Sequence, residues 1–178
     1  SERLELVHKG LGEMQTLASG VGDLKKVLSN VKTRGVWGEV HLEQLLDQLL
    51  TKSQYESQVN VKLSSSDVVD FAIKLPGKDI NDKPVWLPID AKFPMETYQH
   101  LIDAQELGDK DGVDLALKQL EQRVKLEAKQ FHSKYLDPPH TTDFGVLYFP
   151  TEGLYAEVLR LHSIQEDLQS KYKVLIAG

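Results

Sequence analysis

The sequence predicts a mixed α/β domain, and three features of its pattern lead to this prediction. Stretches with apolar residues every three or four positions predict helices near the start, in the middle and near the end of the chain. Between the first and the middle helices, three short strand-like segments separated by turn residues predict an antiparallel meander. Two further strand-like runs, "DFGVLYFP" and "KVLIAG", each follow a helical stretch. We therefore expect a mixed central sheet flanked by helices.

Composition limits the kinds of protein that this chain can be. Its 178 residues are 40% hydrophobic and 27% charged, which is typical of one globular, water-soluble domain. A net charge of -6 gives no general attraction to nucleic acid, so binding DNA needs a local basic patch or a bound cation. The lack of cysteine excludes disulfides and thiolate chemistry. No apolar run approaches the ~20 residues of a membrane-spanning helix, and no signal peptide is visible, so we expect no membrane contact by this fragment and a cytoplasmic location.

The first predicted element is a long amphipathic helix over residues 1–32. Its apolar side chains follow a spacing of threes and fours: Leu11, Met14, Ala18, Val21, Leu24, Leu28 and Val31. Two interpretations stay open, since the helix could pack on its own domain or form the end of a coiled coil that joins chains into a homo-oligomer. We expect "KTRG" to interrupt it, with Thr33 and Gly35 as punctuation before a second helix in "VWGEVHLEQLLDQLL".

The remaining elements follow in order along the chain. Strands are predicted over residues 54–63, 67–75 and 83–93, with "PGKDIND" as the turn before the third. Residues 95–135 return to a helical pattern with a break at "ELGDKDG", and residues 152–170 are expected to form one further helix.

Charged residues in the apolar segment "PVWLPIDAKFP" are the unusual feature of this sequence. Asp90 and Lys92 stand two apart on a predicted strand, so their side chains share one face. Asp70 on the preceding strand comes near them if the two strands pair across the turn. Upstream, Glu39 and Glu43 lie four apart and share a helical face.

Carboxylates that converge beside a lysine are what metal-dependent hydrolysis of a phosphodiester requires. Oxygen ligands hold Mg²⁺ or Mn²⁺, the metal acidifies a water and neutralises the phosphate, and the ammonium steadies developing charge. A solvated strand face is the alternative explanation for such a pair. Pro88 lacks an N–H for the ladder, so we expect the strand that carries Asp90 to be bulged or at a sheet edge there.

At these residues the chain resembles the RmuC family, bacterial proteins linked to DNA recombination. The collinear segments that carry the resemblance are "TRGVWGEVHLEQLL", "YESQV", "VDFAIKLPG", "VWLPIDAKFP", "DFGVLYFPTEGLY" and "VLIAG". The resemblance implies a restriction-endonuclease-like domain of the PD-(D/E)xK class over residues 33–178, truncated at its C-terminus. It also implies a preceding coiled coil, and in full-length members an anchor at the inner face of the bacterial membrane.

The resemblance assigns roles to the charged residues. Asp70 matches the first acid of the nuclease motif, and Asp90 and Lys92 match its (D/E)xK part. Glu39 resembles the glutamate that many of these nucleases add from their first helix. The implied catalytic residues are therefore Asp70, Asp90, Lys92 and Glu39, and the implied metal ligands are Asp70, Asp90, Ala91 and Glu39.

Three more residues fall on family segments with weaker implications. Glu43 is the alternative to Glu39, Arg34 could meet a phosphate or flank a helix, and Glu152 could lie near the active site. Glu152 also has a structural explanation, because an acid in the first turn of a helix is favoured and Thr151 is a suitable N-cap. Val69 stands where the family motif usually has proline, which leaves the carboxylate of the next residue unaffected.

A basic stripe on the long middle helix is the candidate DNA-binding surface. Lys118, Gln122, Lys125, Lys129 and His132 follow one another at spacings of four, three, four and three, with Arg123 beside them. The same pattern also describes the solvated side of a helix. Two functions stay open: a Mg²⁺- or Mn²⁺-dependent nuclease, endo- or exonuclease, that acts on DNA in recombination, or a DNA-binding or scaffold module with little or no turnover.

Overall fold

A five-stranded mixed sheet with helices on both faces forms the core, which confirms the predicted mixed α/β class. The computed structural model describes residues 31–78 and 83–178, so the predicted helix over residues 1–32 lies almost entirely outside the described residues. The helices are α1 (Val31–Leu49), α2 (Met95–Glu106), α3 (Lys110–Tyr135), α4 (Glu152–Arg160) and α5 (Ile164–Tyr172). The strands are β1 (Tyr55–Val59), β2 (Val69–Lys78), β3 (Pro84–Ala91), β4 (Gly145–Tyr148) and β5 (Val174–Ala177).

Strands β1, β2 and β3 form the predicted antiparallel meander. Phe71 of β2 lies opposite Ser57 of β1 on one side and Ile89 of β3 on the other. A register shift between Leu75 and Lys78 lets β2 continue into the segment where a turn was predicted. The meander places the start of β2 beside the end of β3.

Strands β4 and β5 add to the sheet in parallel, each after a helical crossover. Helices α2 and α3 connect β3 to β4, and α4 and α5 connect β4 to β5. The strand order in the sheet is therefore the order in the sequence, β1 to β5. Parallel neighbours need such long connections, whereas the meander needs only turns.

Each face of the sheet is covered by its own apolar cluster. On one face, Leu42 and Leu46 of α1 pack against Phe71, Ile89 and Tyr148. On the other, α3 and the remaining helices bury a larger cluster that includes Ala72, Leu101, Leu120, Val124, Phe131, Leu147, Leu154 and Leu168. Because side chains alternate along β3, the neighbours of Ile89 face α3.

Two predicted helix boundaries are wrong. Helix α1 runs through Thr33 and Gly35 without the predicted interruption, because the apolar face of α1 is held by the sheet and outweighs the roughly 1 kcal/mol that one helical glycine costs. Residues 152–170 form two helices, α4 and α5, rather than one. Leu161 is extended and Ser163 adopts a left-handed φ of 57°, and this break allows both Leu161 and Ile164 to be buried.

The expected distortion at Pro88 is absent. Strand β3 pairs with β2, where Ala72 faces Pro88, and with β4 from Ile89 onward, so it is an inner strand. The Trp86 N–H donates to His140 O on the β4 side at 3.2 Å. Strand alternation puts the missing N–H of Pro88 on that same side, before the ladder with β4 begins. Pro88 therefore removes no hydrogen bond between β2 and β3.

Candidate active site

Two aspartates face each other at one end of the sheet. The register that pairs Phe71 with Ile89 places Asp70 directly opposite Asp90, and so brings the two close together, as expected if β2 and β3 pair. Because the Phe71 and Ile89 pair exchanges the ladder hydrogen bonds, the aspartates occupy the alternate kind of position, in which opposed side chains come closest. Like charges directly opposite each other destabilise a sheet.

The two carboxyl groups are strongly coupled to each other. Asp70 Oδ2 accepts a hydrogen bond from the Ala91 N–H at 2.9 Å, which favours the ionised form. Burial, the charge of Asp90 and a hydrogen bond with that carboxyl have the opposite effect and raise the pKa of Asp70 to about 9. The nearby charge of Glu39 adds to this increase. Two carboxylates in this arrangement share a proton unless a cation replaces it.

Asp90 is the more deeply buried of the pair, with 3% of its surface exposed. Its Oδ2 atom lies 3.0 Å from the Lys92 Nζ, a charge contact without the alignment of a good hydrogen bond. A buried carboxylate oxygen with no well-aligned donor is costly, because desolvation is not fully compensated. That atom therefore has unused capacity to accept a ligand, although Asp90 itself does not line the cavity.

Lys92 lies between two buried carboxylates. Besides Asp90, it lies 3.6 Å from Glu127 Oε2 of α3. Burial by itself lowers the pKa of Lys92, but the charges of Asp90 and Glu127 outweigh that effect and raise its pKa. The side chain is thus held as an ammonium at the edge of the site.

Glu127 and Arg123 complete the cluster from the helix that covers this face. Arg123 Nη2 lies 2.6 Å from Glu127 Oε1, and only 6% of the surface of Glu127 is exposed. The sequence alone assigned Glu127 no role. The available signal was its place in the buried repeat of α3, since it lies between Val124 and Phe131 at apolar spacing.

These side chains open into a cavity of about 460 Å³. Glu39 and Gly38 of α1, Asp70 of β2, Lys92 after β3 and Arg123 of α3 all line it. The predicted set of Asp70, Lys92, Glu39 and Ala91 is therefore brought together, and Asp90, which does not line the cavity, lies 3.0 Å from Lys92. Tyr135 also lies near this group, and burial, then the charge of Asp90, raises its pKa.

The donors present suit a hard divalent cation. Within residues 31–78 and 83–178, no three His, Cys, Asp or Glu side chains are grouped closely enough to hold a metal ion by themselves. Asp70 and Asp90 offer two carboxylates, and Ala91 can offer only its backbone carbonyl. Mg²⁺ takes such oxygen ligands and keeps several waters, so one or two carboxylates are sufficient. The poorly compensated Oδ2 of Asp90 and the proton-sharing pair fit this group.

The weaker candidates lie elsewhere or outside the described side chains. Burial raises the pKa of Tyr55, and the charge of Glu43 adds to this increase. Glu43 does not line the cavity that contains Asp70. Glu152 is exposed in the first turn of α4, where Thr151 Oγ1 accepts a hydrogen bond from the Leu154 N–H at 3.3 Å, as expected for an N-cap. The side chain of Arg34 is outside the described part of the chain.

The geometry of α3 separates Arg123 from the rest of the predicted basic stripe. Two positions apart on a helix are about 200° apart around its axis, so Arg123 and Lys125 point in opposite directions. Lys125 pairs with Glu121 and Asp167 on the side of α5. Lys118 and Lys129 are exposed and do not line the cavity. Of the four candidate DNA contacts, Arg123 alone lines the cavity.

Comparison with known proteins gives one consistent result. A family model described as RmuC family matches residues 1–178. A curated relative from Xylella fastidiosa, a DNA recombination protein RmuC homolog, is 54% identical over 178 residues, which are 100% of this chain and 39% of the relative. Homologs of the same name from Pseudomonas aeruginosa and Chlamydia trachomatis are 32% and 28% identical and align with 89% and 87% of this chain, or 33% and 34% of their own length.

The chain therefore spans about two fifths or less of these relatives. No solved structure matches it significantly, so a restriction-endonuclease-like architecture stays a prediction. Among the described helices, none is both long enough and apolar enough to cross a membrane.

Proposed function

This chain belongs to the RmuC family, and we propose that it is a Mg²⁺- or Mn²⁺-dependent nuclease domain that acts on DNA in recombination. The observation that carries the proposal is the opposed pair Asp70 and Asp90 with the Lys92 ammonium 3.0 Å from Asp90. The names of the curated relatives, DNA recombination protein RmuC homolog, supply the biological setting.

Asp70 and Asp90 would hold the cation, with the Ala91 carbonyl and water completing its ligands. The Ala91 N–H fixes the Asp70 carboxyl, and the sheet fixes both backbones, so these donors are preorganised. When bound, the cation would lower the pKa of a water and offset charge on a phosphate. Glu39 lines the same cavity and would act through water molecules around the cation.

The two basic residues of the cavity would act on the phosphate. Lys92 is held as an ammonium beside Asp90, where it would donate to the attacking water or to a phosphate oxygen. Arg123 is half exposed at the cavity rim and has further N–H donors besides those facing Glu127, so it can contact a neighbouring phosphate.

The charge of the cavity sets an order of binding. Four acids and two basic residues line it: Glu39, Asp70, Glu96, Glu127, Lys92 and Arg123. Without a divalent cation this surface attracts cations and repels phosphate. We therefore expect the cation to bind first, which also explains how an acidic chain can hold DNA at this place.

A cleavage assay tests the proposal. The purified protein is incubated with hairpin, inverted-repeat and supercoiled DNA, with and without Mn²⁺, beside Lys92→Ala and the matched surface variant Lys125→Ala. We expect Mn²⁺-dependent cleavage by the wild type and by Lys125→Ala, and a loss of about 10²- to 10⁴-fold in Lys92→Ala, the range for a group that assists proton transfer. Cleavage that persists in Lys92→Ala would identify a contaminating nuclease.

A second candidate is a DNA-binding or scaffold module with little turnover. The observation that favours it is that the described residues offer two opposed carboxylates but no group of three metal-binding side chains. In that case the protein would bind DNA and release it uncut in the same assay, in the presence of Mn²⁺.

A further inference from the structure

Lys92 has two acidic partners, and the proposed reaction requires one of them. Its Nζ lies 3.0 Å from Asp90 Oδ2 and 3.6 Å from Glu127 Oε2. A cation held by Asp90 would compete with the ammonium for the same carboxylate. A lysine side chain has four rotatable bonds and a strongly hydrated end, so it turns toward solvent unless another group retains it.

We propose that Glu127 is a positioning residue that keeps Lys92 in the cavity while Asp90 holds a divalent cation. This inference rests on the proposed function and adds a division of work between the two acids. Asp90 coordinates the cation, and Glu127 forms the ion pair that retains Lys92. Glu127 itself contacts neither the cation nor the DNA.

The surroundings of Glu127 suit this role. Its Oε1 lies 2.6 Å from Arg123 Nη2 and its Oε2 lies 3.6 Å from Lys92 Nζ, so each carboxylate oxygen has its own cationic partner. Its backbone lies in a 26-residue helix whose buried residues Val124, Ala128 and Phe131 are packed against the sheet. Packing therefore holds the backbone of Glu127 in place.

Stability alone does not account for this carboxylate. Burying an ion pair is often no better for stability than an apolar residue of similar volume. Val124 and Phe131 show that the same face of α3 accepts apolar side chains. Glu127 lies where this face meets the proposed catalytic lysine, so retention of Lys92 accounts for a charged residue at this position.

Chemical labelling of lysine separates this role from a structural one. Purified protein is treated with an amine-acylating reagent with and without saturating Ca²⁺, and modification of Lys92 is measured by mass spectrometry. Ca²⁺ is used because it can occupy an oxygen site of this kind in the absence of DNA. The variants are Glu127→Gln, which keeps the side-chain shape, and Glu121→Gln, which removes the acid paired with Lys125 on the same helix.

We expect Ca²⁺ to increase Lys92 labelling several-fold more in Glu127→Gln than in the wild type, because only the variant lacks the second acid. In Glu121→Gln, the labelling of Lys92 should match the wild type. Arg123→Gln is a second variant with the same direction and a smaller effect, since it leaves Glu127 charged but less fixed.

Two further readouts define the role. Calorimetry should give the same Ca²⁺ affinity for Glu127→Gln and the wild type, and cleavage by Glu127→Gln should lose about 10- to 100-fold in kcat with little change in KM, as expected for a residue that orients another. Equal Lys92 labelling in Ca²⁺-loaded wild type and Glu127→Gln overturns the inference alone. A loss of Ca²⁺ affinity in Glu127→Gln also overturns it, because Glu127 would then be a ligand. Absence of Ca²⁺ and Mn²⁺ binding by the wild type overturns the proposed function and the inference together.

Discussion

Two groups of ion pairs lie on opposite sides of helix α3, and their acidic members differ in how much water reaches them. The buried cluster, named for its buried acids Asp90 and Glu127, also contains the partly exposed Lys92 and Arg123, and the surface cluster consists of Glu121, Lys125 and Asp167. The shortest contacts are similar, 2.6 Å in the buried cluster and 2.9 Å in the surface cluster. The side chain of Glu127 is 7% exposed, whereas that of Glu121 is 34% exposed.

This difference in exposure separates two physical roles for the same chemistry. The ion pairs of the surface cluster contribute little to stability, because water and salt screen them. The two buried acids have been desolvated at a cost that their pairing only partly offsets, and Lys92, Arg123 and Glu127 line the cavity together with Asp70. Charges that a fold keeps buried against their own desolvation cost indicate a functional site, whereas the surface pairs need no such explanation.

The largest expected difference between the clusters is in cleavage. Asp90→Asn removes a proposed ligand and should lower the Mn²⁺-dependent rate by about 10²- to 10³-fold or more. Asp167→Asn changes the same residue type in the surface cluster and should leave the rate within about twofold, since surface pairs contribute little. Initial rates on one DNA substrate measure both. Equal losses in the two variants would remove the distinction between the clusters.

A second difference concerns stability and pH in the metal-free protein. The pKa of Asp70 is raised to about 9 in the folded state, above about 3.9 in the unfolded chain. The folded state therefore binds this proton more tightly, and the free energy of unfolding falls as pH rises between these two values. Asp70→Asn removes the titration, so its advantage in Tm over the wild type should grow from pH 6 to pH 9.

At pH 9 the free energy of unfolding of Asp70→Asn should exceed that of the wild type by at least about 1 kcal/mol, which corresponds to about 2–4 °C in Tm for a chain of this length. Thermal unfolding followed by circular dichroism in a chelator measures it. Asp167→Asn is the control and should show no comparable growth with pH. A Tm difference for Asp70→Asn that stays constant from pH 6 to pH 9 would contradict the coupling of the two aspartates.

DNA binding sharpens the contrast between Arg123 and Lys125, two of the candidate DNA contacts. Arg123 lines the cavity and Lys125 does not. With Ca²⁺ present, Arg123→Gln should reduce the slope of log affinity against log salt by about 1, as for the loss of one phosphate contact. Lys125→Gln should leave that slope unchanged. Fluorescence anisotropy at several salt concentrations tests this, and an unchanged slope in Arg123→Gln would place the phosphate elsewhere.

The smallest expected effect is in the surface cluster itself. Glu121→Gln should lower the free energy of unfolding by less than about 1 kcal/mol, and the loss should diminish in high salt because the pair is screened. Denaturant unfolding at two salt concentrations measures this. A loss of several kcal/mol would mean that exposure is a poor guide to the energy of these pairs.

The sequence predicted that Asp70 comes near Asp90 because the relevant interactions are local. Alternation along β2 and β3 and a short turn between them were enough to bring Asp70 toward Asp90. The same reasoning could not place Glu127, because its contact with Lys92 depends on how α3 crosses the sheet. It also placed Arg123 beside the stripe that contains Lys125, although helical geometry points the two side chains apart.

The helix break at Ser163 shows the same limit. No glycine or proline marks this break in the sequence. It depends instead on the burial of Leu161 and Ile164 in the folded domain. The prediction for helix α1 fails in the opposite sense. Gly35 predicts a helix break, but packing of α1 against the sheet keeps the helix continuous.

Calorimetric titration with Mn²⁺ at pH 8 tests most directly whether Asp70 and Asp90 form a cation site. The measurement uses the wild type and Asp90→Asn under identical conditions. We predict binding at millimolar or tighter affinity to the wild type and no comparable binding to Asp90→Asn. Absence of binding to the wild type, or equal binding to both proteins, would contradict the account.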